Sequence, residues 1–405
     1  MKNKAYVIYL QRISIWVSVV IVLFVIADSA YSAEARGVTD DTIKIGVIYD
    51  QTGPVASLAI PITKGIRSLF QYTNEQGGIH GRKLKALVED DRTSIPVAVA
   101  AFKKLLYRDG VLSLFGPGST GATVALLSSI NKEKIPAFPG STSDRMVEPF
   151  QRYIFTVNDT NTGMMKVVVD YIMKDFKAKG KRIGIVYPDN EAGRAESNPA
   201  LERLKFYDVE PVAKEVLNYG VIEATSQVLS LKKNKVDYII LCGQTPQGAI
   251  VFLRELKKFD VNVPVVGNWA TCEEDVVRIG DAAKQFYSIN AMASWYDEGP
   301  GVAKMREITL KYEPGTEKPY RAKTYTSGWV TAVIKIEALK RAGRDLDGEA
   351  LVKSLESMNN FDTGGLSGPI SYSPISHKGG SVWKIFKSDP STGKFIPVTG
   401  WRTPQ

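Results

Sequence analysis

Short apolar runs alternate with helical segments along most of the chain, and the links between them are brief. Residues 43–49 become nearly all apolar in their later half, as in a strand covered on both faces, and residues 84–89 form a second run. Helical stretches follow both runs. Parallel strands need crossover connections, usually helices, so this alternation predicts an α/β fold with doubly wound parallel sheets.

The same alternation restarts after a polar stretch at residues 158–163, which predicts a second unit. Its predicted strands are residues 182–187, 211–216, 236–241 and 263–266. The remaining tail is too short for a third unit, although it contains helices and three predicted strands at residues 285–293, 368–372 and 382–386.

We expect this tail to return to both units and to create a hinge. The crossings are predicted near Asn158, Ala291 and Tyr372. The predicted fold is therefore two doubly wound lobes joined by a three-crossing hinge. Their predicted boundaries are residues 40–158 with 291–372 for lobe 1, and residues 159–290 with 373–405 for lobe 2.

The first 33 residues have the pattern of an export signal. Basic residues precede an apolar core at residues 13–27, which is short for a membrane span, and small residues follow. Cleavage is expected near Ala33 or Ala35, and an uncleaved anchor is the alternative. The pattern predicts an exported protein.

Two bends rich in glycine and hydroxyl residues stand where predicted strands end, at residues 116–123 and 138–143. Free backbone N–H groups at such a bend, together with a helix N-terminus, form a site for a small anion. Both bends are expected at the carboxyl edge of one sheet, where they could hold a single carboxylate. The sequence therefore predicts a site for a small carboxylate or a polar ligand of similar shape.

The first bend also has alternative interpretations. Gly116, Gly118 and Gly121 have the spacing of the dinucleotide-binding fingerprint. That fingerprint belongs in the first βα turn, with an acid about 20 residues further on, whereas these glycines follow the third strand-like run. A purely structural tight turn is the other alternative.

Composition and the scarcity of cysteine and histidine argue against several classes of function. The formal net charge is +9, but the basic residues are dispersed, so we expect no nucleic-acid partner. The chain has only two cysteines and two histidines, so we expect neither a zinc site nor a histidine-based triad. Cys242 and Cys272 are interpreted either as a disulfide between neighbouring strands or as two buried thiols.

Several motifs follow one another in a recognisable order. They are Thr52-Gly53-Pro54, Gly77-Gly78-Ile79, Glu89-Asp90-Asp91, the bend at residues 116–123, and Pro139-Gly140-Ser141-Thr142. This order resembles the periplasmic binding proteins for branched-chain amino acids, which are solute-binding proteins of ABC transporters with the type I periplasmic-binding-protein fold. The resemblance extends over the mature chain and is strongest over residues 43–145.

The resemblance implies a set of ligand contacts in lobe 1. Thr120 and Thr142 would hold the ligand carboxylate through hydroxyl and backbone N–H groups, with the Gly140 carbonyl nearby. Ser119 and Ser141 belong to the same two bends and complete the predicted carboxylate site.

The resemblance fails at the positions that surround the ammonium group in members that bind amino acids. The two aromatic positions and the acid of the second lobe fall here at Ala192, Gln244 and Trp269, and the aromatic wall of the first lobe falls at Leu58. None of the four matches. A shift of the alignment by one or two residues is the alternative explanation.

These departures affect the expected ligand. A buried ammonium without a carboxylate partner is costly, so we expect an acid that lacks the α-ammonium unless Asp189, Glu191 or Glu273 substitutes. Trp269 suits a flat or apolar ligand body, such as an aromatic or branched aliphatic acid, and Gln244 can bond an amide or a hydroxyl.

The sequence therefore predicts a periplasmic solute-binding protein of a branched-chain amino-acid-type ABC importer. It would be a monomer that captures a small carboxylate or amide ligand by hinge closure and presents the closed form to permease subunits in the membrane. No nucleophile–base pair is evident, and we expect no catalysis, cofactor or metal. A periplasmic ligand sensor of the same fold is the alternative.

Overall fold

Among residues 35–314 and 320–405, which the computed structural model describes, the strands form two sheets. The first sheet has the order β2-β1-β3-β4, and all its strands are parallel. Its strands are β1 (Thr42–Ile48), β2 (Lys83–Glu89), β3 (Ser113–Phe115) and β4 (Ala137–Phe138). The predicted signal at residues 1–33 lies outside the described residues.

The second sheet is mixed. Its strands are β5 (Ile183–Tyr187), β6 (Ala213–Val216), β7 (Tyr238–Leu241), β8 (Val265–Gly267), β9 (Phe286–Asn290), β10 (Lys384–Asp389) and β11 (Lys394–Pro397). They follow the order β11-β10-β9-β8-β7-β5-β6, with β5 to β9 parallel and the last two strands antiparallel. The sequence predicts the parallel part but misses β11 and this antiparallel edge.

Helices connect the parallel strands, as crossover connections require. In chain order, the helices of the described residues are α1 (Ala56–Glu75), α2 (Ile95–Lys103), α3 (Thr120–Lys132), α4 (Asn161–Asp170), α5 (Glu191–Phe206), α6 (Thr225–Lys233), α7 (Pro246–Lys258), α8 (Glu274–Val277), α9 (Pro300–Tyr312), α10 (Lys323–Ala342) and α11 (Gly348–Glu356). The last three lie between β9 and β10, which are antiparallel. A π-helical turn extends α2 to Arg108 and another extends α4 to Asp175. No helix of the described residues is long and apolar enough to cross a membrane.

The tail of the chain returns to both sheets. Helix α10 packs against α1, beside the first sheet, whereas β10 and β11 complete the second sheet. Between the sheets, Thr156 pairs with Lys378, and Met292 pairs with Ser367. Residues 368–372, predicted as a strand, make only an isolated bridge between Ile370 and Phe361, because no neighbouring strand continues the pairing.

A lysine buried in the core fastens α10 to the first sheet. The ammonium of Lys335 donates to the Ser113 hydroxyl at 3.0 Å and to the Leu114 carbonyl at 2.8 Å, and it lies 4.0 Å from the centre of the Phe115 ring. Burial lowers the pKa of Lys335 well below its ordinary value. These contacts fix the helix directly on β3, the strand that leads into the first glycine-rich bend.

The two cysteines are separate buried thiols. Burial raises the pKa of Cys242 well above its ordinary value and that of Cys272 to about 12. Of the two interpretations of the sequence, the structure contains the unpaired thiols.

Candidate functional site

The carboxyl ends of both sheets line one cavity of about 600 Å³. From the first sheet the lining residues include Tyr49, Asp50, Asp91, Thr93, Gly118, Ser119, Thr120, Gly140 and Ser141. From the second sheet they include Asn190, Glu191, Ala192, Glu196, Tyr219, Gly243, Gln244, Asn268 and Trp269. Loops that leave strand ends are the usual ligand sites of open α/β sheets, and the volume lies in the range of about 300–1,000 Å³ typical of ligand pockets.

A pair of buried hydroxyl groups joins the two glycine-rich bends. The Thr120 Oγ1 and Ser141 Oγ atoms are 2.8 Å apart, and both residues are buried. Thr120 is the first residue of α3, and Ser119 caps this helix by accepting a bond from the Ala122 N–H. A helix start carries unpaired N–H groups and partial positive charge, so hydroxyls and N–H groups meet here at one place suited to an anion.

Thr142 does not belong to this pair, although the resemblance implies that it does. Its hydroxyl donates to Asn161 Oδ1 at 2.8 Å, and Thr142 is absent from the lining of the cavity. The structure places the hydroxyl of the preceding residue, Ser141, beside Thr120 instead. The other predicted site residues, from Leu58 to Trp269, all line the cavity.

Glycine is required at the two bends because they approach each other and an aromatic ring. A Cβ atom added at Gly118 would lie 2.7 Å from Tyr49 Cδ1, and one at Gly140 would lie 2.8 Å from the Gly118 carbonyl oxygen. The glycines of the first bend thus serve close packing after β3. This position, after the third strand of the chain, differs from the first βα turn that a dinucleotide fingerprint occupies.

Two buried aspartates shape the loops after β1 and β2. Asp50 accepts bonds from the N–H groups of Thr52 and Val55 and from the Thr93 hydroxyl. Asp91 Oδ1 accepts the Thr93 N–H at 3.0 Å, but its buried Oδ2 has no hydrogen-bond partner among the described residues. Burial raises the pKa of Asp91. Sequence patterns alone assign Asp91 no ligand role, although the residue lines the cavity.

The second sheet contributes a buried acid that the sequence analysis also missed. Glu196 on α5 accepts the Gly243 N–H and the Asn268 side-chain amide, the latter at 3.2 Å. Burial raises the pKa of Glu196 to about 7. The acid is therefore partly protonated near neutral pH, when it can donate as well as accept a hydrogen bond.

Gln244 and Trp269 both line the cavity, but the Gln244 amide is already hydrogen-bonded within the protein, whereas Trp269 presents an apolar ring. The Gln244 side-chain amide donates to the Leu217 carbonyl, so this nitrogen is already engaged within the protein. Trp269 packs partly against the apolar core of the second sheet and supplies a flat wall.

The three acids named as substitutes for an ammonium partner are each engaged elsewhere. Asp189 forms an ion pair with Arg194, and Glu191 forms one with Arg145 at 2.7 Å. Glu273 lies outside the cavity lining and accepts the first two N–H groups of α10. Asp189 and Glu273 are absent from the cavity lining, and Glu191, which lines it, is held by Arg145.

Two contacts bridge the cavity between elements of the two sheets. Arg145, which follows β4, pairs with Glu191 at the start of α5. Ser57 on α1 donates to Gln247 Oε1 on α7 at 2.7 Å. We call Arg145–Glu191 and Ser57–Gln247 the rim contacts.

The raised pKa of Glu196 predicts a pH-dependent stability. Between the ordinary value of 4.5 and about 7, the folded protein keeps a proton that the unfolded chain has released, so the free energy of unfolding should fall as the pH rises through this interval. We expect this decrease in the free energy of unfolding to be smaller by about 1–3 kcal/mol in Glu196→Gln than in the wild type. Urea unfolding at pH 5 and pH 8 measures it.

The matched control is Glu202→Gln, which changes an exposed acid of the same helix. It should keep the wild-type difference between the two pH values. A Glu196→Gln variant that also keeps this difference would show that Glu196 is ionised throughout.

The chain is similar to known proteins over nearly all its described length. Residues 42–394 match the family model described as periplasmic binding protein. The chain is 22% identical to the leucine-specific-binding protein of Salmonella typhimurium, over 90% of this chain and 95% of that protein. It is also 22% identical to a Leu/Ile/Val-binding protein of Rhizobium johnstonii, over 79% and 85%.

Solved structures share the fold. A branched-chain amino acid ABC transporter protein from Thermus thermophilus with bound valine has a TM-score of 0.84 and 21% identity, covering 90% of this chain and 97% of that one. A fatty acid ABC transporter substrate-binding protein from Thermomonospora curvata has a TM-score of 0.79 and 24% identity, covering 91% and 94%. At these identities the likeness establishes the α/β architecture.

Proposed function

Because the chain belongs to the periplasmic binding protein family, we propose that it is the solute-binding protein of an ABC importer of the branched-chain amino-acid type. The family consists of solute-binding proteins rather than enzymes. The proposed ligand is a small molecule with a carboxylate or amide group. The proposed location is the periplasm, reached through the predicted signal at residues 1–33, and the proposed partners are permease subunits.

The observation that carries this proposal is the Thr120–Ser141 hydroxyl pair at the start of α3, inside a cavity between two sheet edges. Hydroxyls and helix N–H groups donate to a carboxylate, and donors to a charged group contribute more than neutral ones. The carboxyl carbon of the ligand would sit over this pair, inside the cavity that Trp269 also lines.

Capture would proceed by hinge closure. The ligand first binds lobe 1, the predicted carboxylate-binding lobe, and lobe 2 then closes over it and excludes water. The rim contacts support a closed arrangement because each joins a residue of predicted lobe 1 to one of predicted lobe 2. We propose that the closed monomer is the form that the permease recognises.

We propose further that the ligand lacks an α-ammonium group. Asp189, Glu191 and Glu273 already have partners, and Glu196 accepts two hydrogen bonds while burial favours its neutral form. Burial also favours the neutral form of Asp91, whose Oδ2 atom has no hydrogen-bond partner among the described residues. Among the similar proteins, one structure holds valine and another is named for a fatty acid, so this fold accommodates ligands with and without that group.

The test compares leucine, 4-methylpentanoate and 4-methylpentanamide, which share one carbon skeleton. The protein is unfolded and refolded to remove any carried ligand, and thermal unfolding is followed with each compound. A ligand at 100 times its Kd raises the free energy of unfolding by about 2.7 kcal/mol, which is a rise of several degrees in Tm.

We expect 4-methylpentanoate to raise Tm more than leucine does. A rise in Tm with leucine and none with 4-methylpentanoate would show that the site requires an α-ammonium group, contrary to the proposal. A rise with none of the three compounds would contradict the proposed carboxylate or amide ligand.

A further inference from the structure

The cavity wall is divided by chemistry. Its charged residues come from strand-end loops, from the segment after β4 and from α5, whereas α1, α2 and α3 contribute none. Beyond Thr120 and Gly121 at the start of α3, these three helices contribute only apolar side chains. They are Leu58, Ala59, Ile62, Ile95, Val124 and Ala125, and we call them the helical groove.

The helical groove begins at the hydroxyl pair and leads away from it. Thr120 and Gly121 are one helical turn before Val124 and Ala125, so all four lie on one face of α3. On α1, Leu58, Ala59 and Ile62 form a stripe with the same periodicity. Each turn advances about 5 Å, so the groove continues the cavity for at least that distance beyond the proposed carboxylate position.

A large apolar side chain forms the edge of this groove and remains in contact with solvent. Ile95, the first residue of α2, is 44% exposed although it lines the cavity. A Cβ atom at Gly121 would lie 3.3 Å from Ile95 Cδ1, so the absence of a side chain there lets Ile95 approach α3. Covering such a surface with a ligand chain would remove apolar area from water.

We propose that the helical groove holds an unbranched alkyl chain, so that the ligands of this protein are aliphatic carboxylates longer than the deaminated branched-chain amino acids. This inference rests on the proposed function, because the hydroxyl pair must hold the carboxylate for the chain to enter the groove. The aliphatic lining favours alkyl over charged or polar extensions, and the cavity of about 600 Å³ exceeds what a single small acid fills.

The test is a chain-length series of butanoate, hexanoate, octanoate and decanoate, with Kd measured by isothermal titration calorimetry. Burial of one methylene contributes about 0.8 kcal/mol, so Kd should fall about fourfold per methylene from butanoate to octanoate. A Kd that does not fall with length, while butanoate and 4-methylpentanoate still bind, would overturn the groove and leave the proposed function standing. No binding of an acid of any length would overturn both the groove and the proposed carboxylate position.

A pair of variants tests the location of the chain. Ala125→Phe fills the groove from an exposed position, whereas Ala100→Phe adds the same side chain at an exposed position of α2 outside the cavity lining. We expect Ala125→Phe to raise the ratio of the octanoate Kd to the butanoate Kd at least tenfold, and Ala100→Phe to leave this ratio unchanged. If the ratio of the octanoate Kd to the butanoate Kd is the same in both variants, the alkyl chain of the ligand lies outside the groove and the inference is refuted.

Discussion

Replacement of Lys323 by Met is expected to lower the free energy of unfolding by about 3–5 kcal/mol, because it leaves a buried carboxylate without its cation. The Lys323 ammonium lies 2.7 Å from Glu274 Oε1, and both side chains are fully buried. The neighbouring Glu273 is also buried, and burial together with the charge of Glu274 raises its pKa above the ordinary value. Two adjacent acids would thus remain in the protein interior. Urea unfolding at pH 7.5 measures the loss.

Two further variants separate this charge effect from lost packing. The double variant Lys323→Met/Glu274→Gln removes both charges and should recover most of the loss, since neutral groups cost less to bury. Lys311→Met breaks an ion pair with Glu75 in which both side chains are exposed, so it should cost far less than Lys323→Met. If Lys323→Met costs no more than Lys311→Met, the buried pair does not stabilise the fold.

Removal of either hydroxyl of the pair at the bends is expected to weaken carboxylate binding about 10- to 150-fold, as 1.5–3 kcal/mol for a hydrogen bond to a charged group implies. Thr120→Val keeps the shape of the buried side chain, and Ser141→Ala removes only the hydroxyl oxygen. The Kd of 4-methylpentanoate, measured by isothermal titration calorimetry, reports the change. Thermal unfolding without ligand shows whether each variant keeps its fold.

Thr142→Val decides between the sequence-based site and the geometry. Its hydroxyl contacts Asn161 outside the cavity lining, so we expect less than a threefold change in Kd. A large loss at Thr142 with none at Ser141 would favour the assignment implied by the resemblance and contradict the arrangement described here.

The contrast between these neighbours shows where sequence reasoning ends. The spacing of apolar residues within short segments indicates strands and helices, so the parallel strands from β1 to β9 are predictable from the sequence. The choice between Ser141 and Thr142 depends on backbone angles within one bend, where adjacent side chains point in different directions. Residue type alone does not distinguish two consecutive hydroxyl residues.

Glu196 was missed for a different reason. Within the sequence it resembles any acid on an exposed helix, and only long-range packing buries it. A Cβ atom at Gly243 would lie 2.8 Å from Gly193 Cα, so the loop after β7 sits directly on the first turn of α5 and points the Gly243 N–H at the Glu196 carboxylate. Gly193 and Gly243, which are 50 residues apart in the chain, create the buried environment of Glu196, and no pattern of neighbouring residues indicates it.

The rim contacts have a consequence for an empty receptor. These contacts join protein atoms only, so they favour the closed form whether or not a ligand is bound. Arg145 is 62% exposed, and such a surface ion pair is worth at most about 1 kcal/mol. On the proposed function, this weakness lets a molecule without ligand reopen.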